Sequence, residues 1–279
     1  MDLRLKGLNE DTPLELYHIK GREVWVKRDD LMGDGMVLPP WGKLAALFEL
    51  VKKYVDKSKP LVHLSVDGSW TAWALGAICE ELGIEFYAAH PDSKKISQEY
   101  LSMIKEMYPK TNLYPIRPNM MQIMYNSLKK DAREKGWQML PYAFDHDFYK
   151  DYLADRIQPY THFDNLVVSS GSGVTLSGLA KGYYREELKE FFPQVNRKIW
   201  TTCVSSVSSI NKTLKKSGIH IPLNIRKSEY LFDDRMESHS FPLELNQFWE
   251  RKQWHWLENN IDALSGTIIV WCLGGIYKF

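Results

Sequence analysis

Residues 167–178 read Val-Val-Ser-Ser-Gly-Ser-Gly-Val-Thr-Leu-Ser-Gly, and no other stretch of the chain is as informative. An apolar strand leads into a loop of glycines and hydroxyl residues, and a helix follows directly. The first N–H groups of a helix have no partner within it, and the helix dipole places partial positive charge there. The loop therefore predicts a site for a phosphate or a carboxylate, the alternative being an ordinary strand-to-helix turn rich in small residues.

Strand and helix patterns alternate on both sides of this loop. The pattern predicts strands at residues 23–27, 61–66, 84–89, 113–116, 137–140, 166–169, 199–204 and 267–273. It predicts helices at residues 41–54, 71–82, 97–108, 120–135, 175–192, 208–216 and 245–259. Such alternation is typical of parallel α/β proteins. Because there are too many units for one small sheet, we expect two parallel-sheet α/β domains with a cleft between them.

Composition and charge exclude few functions. The chain has 279 residues, 44% of them hydrophobic, and a net charge of +1, so it has no overall attraction for nucleic acid or membranes. Basic pairs such as Lys215-Lys216 and Arg226-Lys227 are interpreted as solvated helix faces or ends. No apolar run approaches the ~20 residues that span a bilayer, and the first residues show no signal region.

The three cysteines, Cys79, Cys203 and Cys272, are widely spaced and have apolar or small neighbours. This pattern predicts buried thiols rather than a disulfide framework or a metal site. We therefore expect no metal, and a reducing cytoplasm as the location, which is the host cytoplasm if a phage encodes the chain.

Several short motifs flank the glycine loop in a fixed order. They are Thr12-Pro13-Leu14, Lys27-Arg28-Asp29-Asp30, Gly42-Lys43-Leu44, Gly68-Ser69-Trp70-Thr71, the glycine loop itself and Leu273-Gly274-Gly275. This order resembles the fold type II (tryptophan synthase beta-like) pyridoxal-phosphate (PLP) enzymes. The resemblance is nearest to the branch of 1-aminocyclopropane-1-carboxylate (ACC) deaminase and D-cysteine desulfhydrase. It implies PLP as the cofactor and a homodimer as the assembly.

The resemblance implies cofactor-binding roles for two of these motifs. Lys43 matches the lysine that forms the Schiff base. Burial lowers the pKa of a lysine amine and so favours its neutral form, which is the nucleophile. The alternative for Lys43 is a first-turn lysine that extends to solvent. The phosphate cup of the family matches Gly171, Ser172, Gly173, Val174 and Thr175. We expect a large cofactor-binding domain formed by residues 1–43 plus 148–279, and a small domain formed by residues 44–147.

The resemblance also implies a residue at the pyridine nitrogen and a substrate-binding segment. Glu250 matches the glutamate that faces this nitrogen, and a solvated helix glutamate is the alternative. Ser69, Trp70 and Thr71 match the loop that helps to hold the substrate carboxylate and the cofactor. Thr71 has an equally simple structural role as the cap of a helix.

The chain departs from the family at three positions. Trp70 stands where the family has asparagine, so we expect the hydrogen bond to the ring hydroxyl to be missing or supplied elsewhere. His239 and Trp249 stand where the deaminase branch has the tyrosines associated with ring opening. We therefore expect no cyclopropane ring opening. His239 is a candidate acid or base near neutral pH, and otherwise a polar surface residue.

The resemblance implies an enzyme that breaks one bond at Cα of an amino acid, by elimination, deamination or decarboxylation. An alternative is a decarboxylase or lyase for an amino acid linked to a DNA base, as in phage pathways that hypermodify DNA. Two further alternatives are a non-catalytic binding module in which Trp70 closes the cofactor site, and a nucleotide-binding domain that uses the loop for another phosphate.

Overall fold

A computed structural model describes residues 8, 11–32, 42–65, 69–92, 98–185, 197–203, 206–220, 223–230, 236, 243–246 and 249–274. The strands are β1 (Leu14–Ile19), β2 (Arg22–Arg28), β3 (Leu61–Leu64), β4 (Phe86–Pro91), β5 (Asn112–Ile116), β6 (Gln138–Met139), β7 (Asn165–Ser170), β8 (Lys198–Cys203), β9 (Asn224–Lys227) and β10 (Ile268–Cys272). The helices are α1 (Leu44–Tyr54), α2 (Thr71–Leu82), α3 (Gln98–Met107), α4 (Met121–Lys135), α5 (Asp147–Ile157), α6 (Val174–Tyr183), α7 (Val207–Lys216) and α8 (Glu250–Asn260).

The chain folds into two compact units, each with its own sheet. Unit 1 comprises Met1–Asn9 and Gly33–Phe144, and unit 2 comprises Glu10–Met32 and Asp145–Phe279. The predicted α/β class is confirmed, since strands and helices alternate in both units. The predicted domain limits stay a prediction.

The sheet of unit 1 has four parallel strands in the order β5-β4-β3-β6. Val62 and Leu64 of β3 share one face of it and pack with apolar residues of α4. Two of the helices end at a glycine in the left-handed conformation, Gly83 after α2 and Gly136 after α4. Glycine adopts this conformation without steric cost, which is why the predicted ends of both helices agree with the structure.

The sheet of unit 2 has the strand order β1-β2-β10-β7-β8-β9. Strands β1 and β2 pair antiparallel, and all other neighbouring strands of this sheet are parallel. The sheet is therefore mixed, although the sequence predicted parallel strands. Strand β1 was not predicted. A tight turn joins it to β2, with positive φ at both Lys20 (49°) and Gly21 (79°). Two such residues form the turn that suits a hairpin, but lysine is not a typical signal for its first position.

Helix α5 was also missing from the predicted elements. It packs along α6, where Gly178 and Gly182 face its backbone and have no room for a side chain. The contact depends on small residues of α6, and small residues give no apolar periodicity by which the sequence could have indicated it. Helix α8 begins at Glu250 rather than at the predicted residue 245, because Asn246 Oδ1 accepts a hydrogen bond from Trp249 N before the helix starts.

The apolar core of unit 2 lies where α8 packs against the sheet, and it includes Val26, Val167, Val270 and Trp254. All three cysteines are buried free thiols, as predicted. Among the described residues, no helix is both long enough and apolar enough to cross a membrane.

Candidate functional site

Two glycines shape the loop after β7 in unit 2. All six residues of β7 are buried, so this strand carries the loop on a fixed base. A Cβ atom added at Gly171 would lie 2.7 Å from the ring of Trp249. Gly173 has a φ of +86°, and a Cβ added there would lie 3.3 Å from both Ile210 and Thr213. The loop therefore requires glycine at both positions, and its backbone stays open to close approach.

Hydrogen-bond donors converge on this loop. Helix α6 begins at Val174, whose N–H donates to Ser172 Oγ at 3.4 Å. The Thr213 hydroxyl donates to the carbonyl oxygen of Ser172 at 2.9 Å and fixes the loop against α7. The Thr175 hydroxyl is hydrogen-bonded to the hydroxyl of the buried Tyr149, and burial raises the pKa of Tyr149. Backbone N–H groups at a helix start, together with hydroxyls, form a donor set that fits a phosphate.

Glu250 is a buried carboxylate, 3% exposed, at the first position of α8. Its Oε1 accepts hydrogen bonds from Ser169 Oγ (3.3 Å), Leu273 N (3.3 Å) and Gly274 N (3.0 Å). A Cβ added at Gly274 would lie 2.8 Å from Glu250 Oε2, so glycine is required there as well. Three donors and the positive end of the helix dipole hold this carboxylate at the carboxyl ends of β7 and β10.

The strand order of unit 2 brings the loop and Glu250 together. Strand β7 pairs in parallel with β10, so the loop after β7 and Gly274 after β10 lie at the same edge of the sheet. In open α/β sheets, ligands bind outside the carboxyl ends of the strands. The structure thus places the predicted Glu250 beside the predicted glycine loop. Ser169 contacts Glu250, and the ring of Trp249 contacts the loop at Gly171. Ser169 and the ring contact of Trp249 were not among the predicted site residues, although Ser169 stands within the quoted stretch.

The first two motifs form a buried network in unit 2. The carboxylate of Asp29, which is fully buried, accepts hydrogen bonds from Arg156 Nε (2.9 Å) and Nη2 (2.8 Å), and from Trp271 Nε1 (3.0 Å). It also accepts a short hydrogen bond from Thr12 Oγ1. The network ties the segment before β1 to α5 and to β10. These motifs therefore support the strands that carry the site.

Lys43 lies in unit 1, directly before α1. It is half-buried, and its carbonyl oxygen accepts the hydrogen bond of Leu47 N at 3.0 Å. Leu44 and Ala45, the first residues of the helix, are each 1% exposed. The lysine is thus attached to a helix start whose next residues are fixed in the core of unit 1.

Ser69 and Thr71 form the start of α2 in unit 1. Ser69 Oγ donates to Thr71 Oγ1 at 2.9 Å and accepts from Thr71 N at 3.3 Å. The Tyr100 hydroxyl donates to the carbonyl oxygen of Ser69 at 3.0 Å. The N-cap residue of α2 is Trp70, whose side chain makes no capping hydrogen bond, so the Ser69 hydroxyl instead forms a turn directly before the helix.

Trp70 is largely buried beside this helix start, with 5% of its surface exposed. Its ring meets Trp73 edge to face at 4.9 Å between centroids, and Trp73 stacks on Tyr100 at 5.8 Å. The position where the family has asparagine is thus part of an aromatic cluster made of Trp70, Trp73 and Tyr100. The predicted His239, together with Gly68 and Gly275, lies outside the described residues.

His63 and Ser65 are buried polar residues of unit 1 that were not predicted from the sequence. They are two residues apart at the end of β3 and lie on the same face. His63 stacks on Phe144 at 4.9 Å, and burial lowers the pKa of its imidazole from 6.5 to about 4. Within the described part of the chain, neither His63 Nδ1 nor Ser65 Oγ has a hydrogen-bond partner. An apolar strand pattern gives no signal for such a pair.

No model of a known protein family matches the chain. Among curated proteins, it is 23% identical over 278 residues to the glycyl-dTMP PLP-dependent decarboxylase of Pseudomonas phage M6, a match that covers 95% of this chain and 98% of that protein. The crystal structure of an ACC deaminase homologue superposes with a TM-score of 0.72 at 17% identity, covering 98% of this chain and 91% of that chain. A hydrogen sulfide-producing enzyme from Fusobacterium nucleatum superposes with a TM-score of 0.68 at 17% identity, covering 99% and 96%. The chain therefore has the fold of the fold type II PLP enzymes, as its sequence predicted.

Proposed function

We propose that this chain is a PLP-dependent decarboxylase that acts on an amino acid carried by a nucleotide. The observation that carries the proposal is the end-to-end match, over 95% of this chain and 98% of the relative, to a phage decarboxylase of glycyl-dTMP. Decarboxylation of a nucleotide-linked amino acid is one of the alternatives that the sequence left open. It takes precedence over elimination or deamination of a free amino acid.

The residues of unit 2 fit PLP. The glycine loop, residues 171–175, supplies backbone N–H groups and hydroxyls for the phosphate, and Glu250 supplies a fixed carboxylate for the pyridine nitrogen. When bound, PLP supplies an electron-withdrawing ring that stabilises negative charge at Cα of an amino acid. In this proposal Glu250 keeps a proton on the ring nitrogen, because its carboxylate is held as a hydrogen-bond acceptor.

The residues of unit 1 are proposed to hold the covalent link and the substrate. Lys43 would hold the aldehyde of PLP through its amine, and Ser69 would orient the amino-acid carboxylate through its hydroxyl. When the carboxylate leaves as neutral CO2, a proton takes its place at Cα, so weakly polar surroundings that disfavour the charged carboxylate favour its loss. The aromatic cluster next to Ser69, where the family has asparagine, supports this choice of reaction.

The assembly and the location are part of the same proposal. We expect a homodimer, which sedimentation of the purified protein would distinguish from a monomer. The phage origin of the curated relative supports action in a host cytoplasm.

The proposed reaction is tested with PLP-loaded protein and glycyl-dTMP labelled in its carboxyl carbon. We expect release of labelled CO2 and a nucleotide product lighter by the mass of CO2, both abolished in Lys43→Ala. The matched control is Lys53→Ala, an exposed lysine on the same helix. Release of ammonia with the carboxyl label retained would contradict decarboxylation and favour deamination.

A further inference from the structure

The stretch from Arg197 to Ser228 differs in charge from the rest of the chain. The whole chain has 36 basic and 35 acidic residues, but this stretch has no Asp or Glu. Its basic residues are Arg197, Lys198, Lys212, Lys215, Lys216, Arg226 and Lys227. The stretch contains β8, α7 and β9, so the folded chain gathers this charge at one edge of the unit 2 sheet, where β9 is the outermost strand.

Four of these side chains are exposed and have no ion pair among the described residues. They are Lys212 and Lys215 of α7 and Arg226 and Lys227 of β9, which together are named the α7–β9 basic surface. Their neighbour Lys216 differs, since it donates to Asp145. On α4, by comparison, Lys130 lies 3.8 Å from Glu134. Among the described residues, the α7–β9 basic surface therefore gathers four exposed cations without an ion pair at one edge of the sheet.

This surface adjoins the glycine loop. The Thr213 hydroxyl, next to Lys212 in the chain, donates to the carbonyl oxygen of Ser172 in the loop. Lys227 pairs in register with Cys203, which pairs with Ser170 at the end of β7. Because neighbouring strands are ~4.8 Å apart, the Cα atom of Lys227 lies about 10 Å from that of Ser170. Lys227 at the end of β9 and the loop after β7 thus lie at the same edge of one sheet.

We propose that the α7–β9 basic surface binds the phosphate backbone of DNA, and that the nucleotide substrate is part of a DNA strand. This inference rests on the proposed function. A free mononucleotide carries no flanking phosphates, whereas a strand has one charge for every ~3.4 Å of its axis. Phosphates that flank the bound nucleotide therefore extend beyond the cofactor, over distances comparable with the about 10 Å between Ser170 and Lys227. Lysine and arginine side chains in this arrangement bind such a backbone without reading its sequence.

The binding step is tested with a fluorescent, unmodified DNA oligonucleotide and the PLP-loaded protein. Two variants reverse the charge of the surface, Lys212→Glu with Lys215→Glu, and Arg226→Glu with Lys227→Glu. The matched control, Lys129→Glu with Lys130→Glu on α4, makes the same change in net charge in unit 1. We expect each surface variant to weaken binding about tenfold or more, and to reduce the slope of log affinity against log salt by roughly 2. The control should bind like the wild type.

Equal binding by all four proteins, or equal weakening by the control, would overturn the proposed surface. Unchanged thermal unfolding shows that each variant is folded.

Turnover separates this inference from the proposed function. With the glycyl nucleotide placed within an oligonucleotide, we expect the surface variants to raise KM about tenfold while their turnover of free glycyl-dTMP stays unchanged. An unchanged KM for the oligonucleotide would contradict the proposed DNA-binding surface but not the proposed decarboxylase activity. DNA binding through this surface without release of CO2 from either substrate contradicts the proposed function and leaves the surface intact.

Discussion

The glycine loop region of unit 2 and the Ser69 region of unit 1 both contain predicted site residues, but they are built differently. In unit 2, Glu250 accepts three hydrogen bonds, and glycines at positions 171 and 274 stand where a side chain would collide with Trp249 or Glu250. In unit 1, Ser69 stands beside the aromatic cluster of Trp70, Trp73 and Tyr100. The proposed cofactor-holding region is thus polar and closely packed, while the proposed substrate-holding region is mostly aromatic.

Two buried polar positions, one in each unit, differ in the same way. Asp29 in unit 2 is fully buried and has four donors. His63 and Ser65 in unit 1 are buried, and neither His63 Nδ1 nor Ser65 Oγ has a partner among the described residues, as is also true of the side-chain amide of Gln253 in unit 2. Satisfied polar networks fix a geometry, and unsatisfied groups cost stability. We infer that the Asp29 network fixes the strands beneath the proposed cofactor site.

The largest expected effect tests the fixed carboxylate. Replacing Glu250 with Gln keeps an acceptor for the donors but removes the charge proposed to act at the pyridine nitrogen. We expect kcat to fall roughly 10²–10³-fold, with PLP affinity changed much less. Glu258→Gln on the same helix is the control and should keep full activity. Full activity in Glu250→Gln would mean that this carboxylate has only a structural role.

The pH dependence of stability tests the contrast in buried polar groups. Burial lowers the pKa of His63 from 6.5 to about 4 in the folded chain. Between pH 6.5 and pH 4, the imidazole is therefore protonated in the unfolded chain but neutral in the folded chain. His63 therefore costs no stability by protonation above pH 6.5, and its cost grows to about 3 kcal/mol as the pH falls to 4.

In His63→Phe, urea unfolding should lose this part of the pH dependence, whereas His220→Gln, at an exposed histidine, should retain it. An identical pH dependence in the wild type and His63→Phe would show that His63 is not held neutral in the fold.

Gly171→Ala tests whether the loop geometry is required. The added Cβ would lie 2.7 Å from the Trp249 ring, so the ring or the loop must move. Such overpacking costs about 2 kcal/mol, and we expect PLP affinity to fall about 30-fold in a spectroscopic titration. The control is Gly218→Ala in the same unit, where a φ of +75° strains an alanine but a Cβ meets nothing within 4 Å, so it shows the effect of a general loss of stability on PLP affinity. Wild-type affinity in Gly171→Ala would show that the phosphate is bound elsewhere.

The smallest expected effect concerns Ser69. Its hydroxyl accepts a hydrogen bond from Thr71 N before α2 and is proposed to orient the substrate carboxylate. Ser69→Ala should raise KM about tenfold with little change in kcat, because one hydrogen bond to a charged group is lost. Thr71→Val should change KM less, since it removes only the hydroxyl that accepts from Ser69. A larger effect of Thr71→Val than of Ser69→Ala would reverse these assignments.

The sequence predicts the parts of the fold that depend on local signals. Gly83 and Gly136 end helices because their left-handed conformation is a local property, and β7 with its loop is recognisable from twelve consecutive residues. Helix α5 was missed because it packs against the glycines of α6, and β1 because Lys20 does not signal its turn. Both depend on contacts between segments that are distant in sequence.

The same distinction applies to the site. Glu250 and the loop were predicted separately, but their shared position at one edge of the sheet depends on the pairing of β7 with β10, which no single segment specifies. The roles of Ser169, Gly274 and Thr213 depend on this order too. The charge of the α7–β9 basic surface is visible in the sequence, but its nearness to the loop follows only from the register of β7, β8 and β9.

We propose that PLP attaches to Lys43 and that the glycine loop is required to hold its phosphate. The most direct measurement is borohydride reduction of the PLP-loaded protein, followed by peptide mapping by mass spectrometry. We expect one PLP group per chain, attached to Lys43, and a clear decrease in labelling at the same PLP concentration in Gly171→Ala. Attachment to another lysine, or labelling of Lys43 that is unaffected by Gly171→Ala, would contradict this proposal.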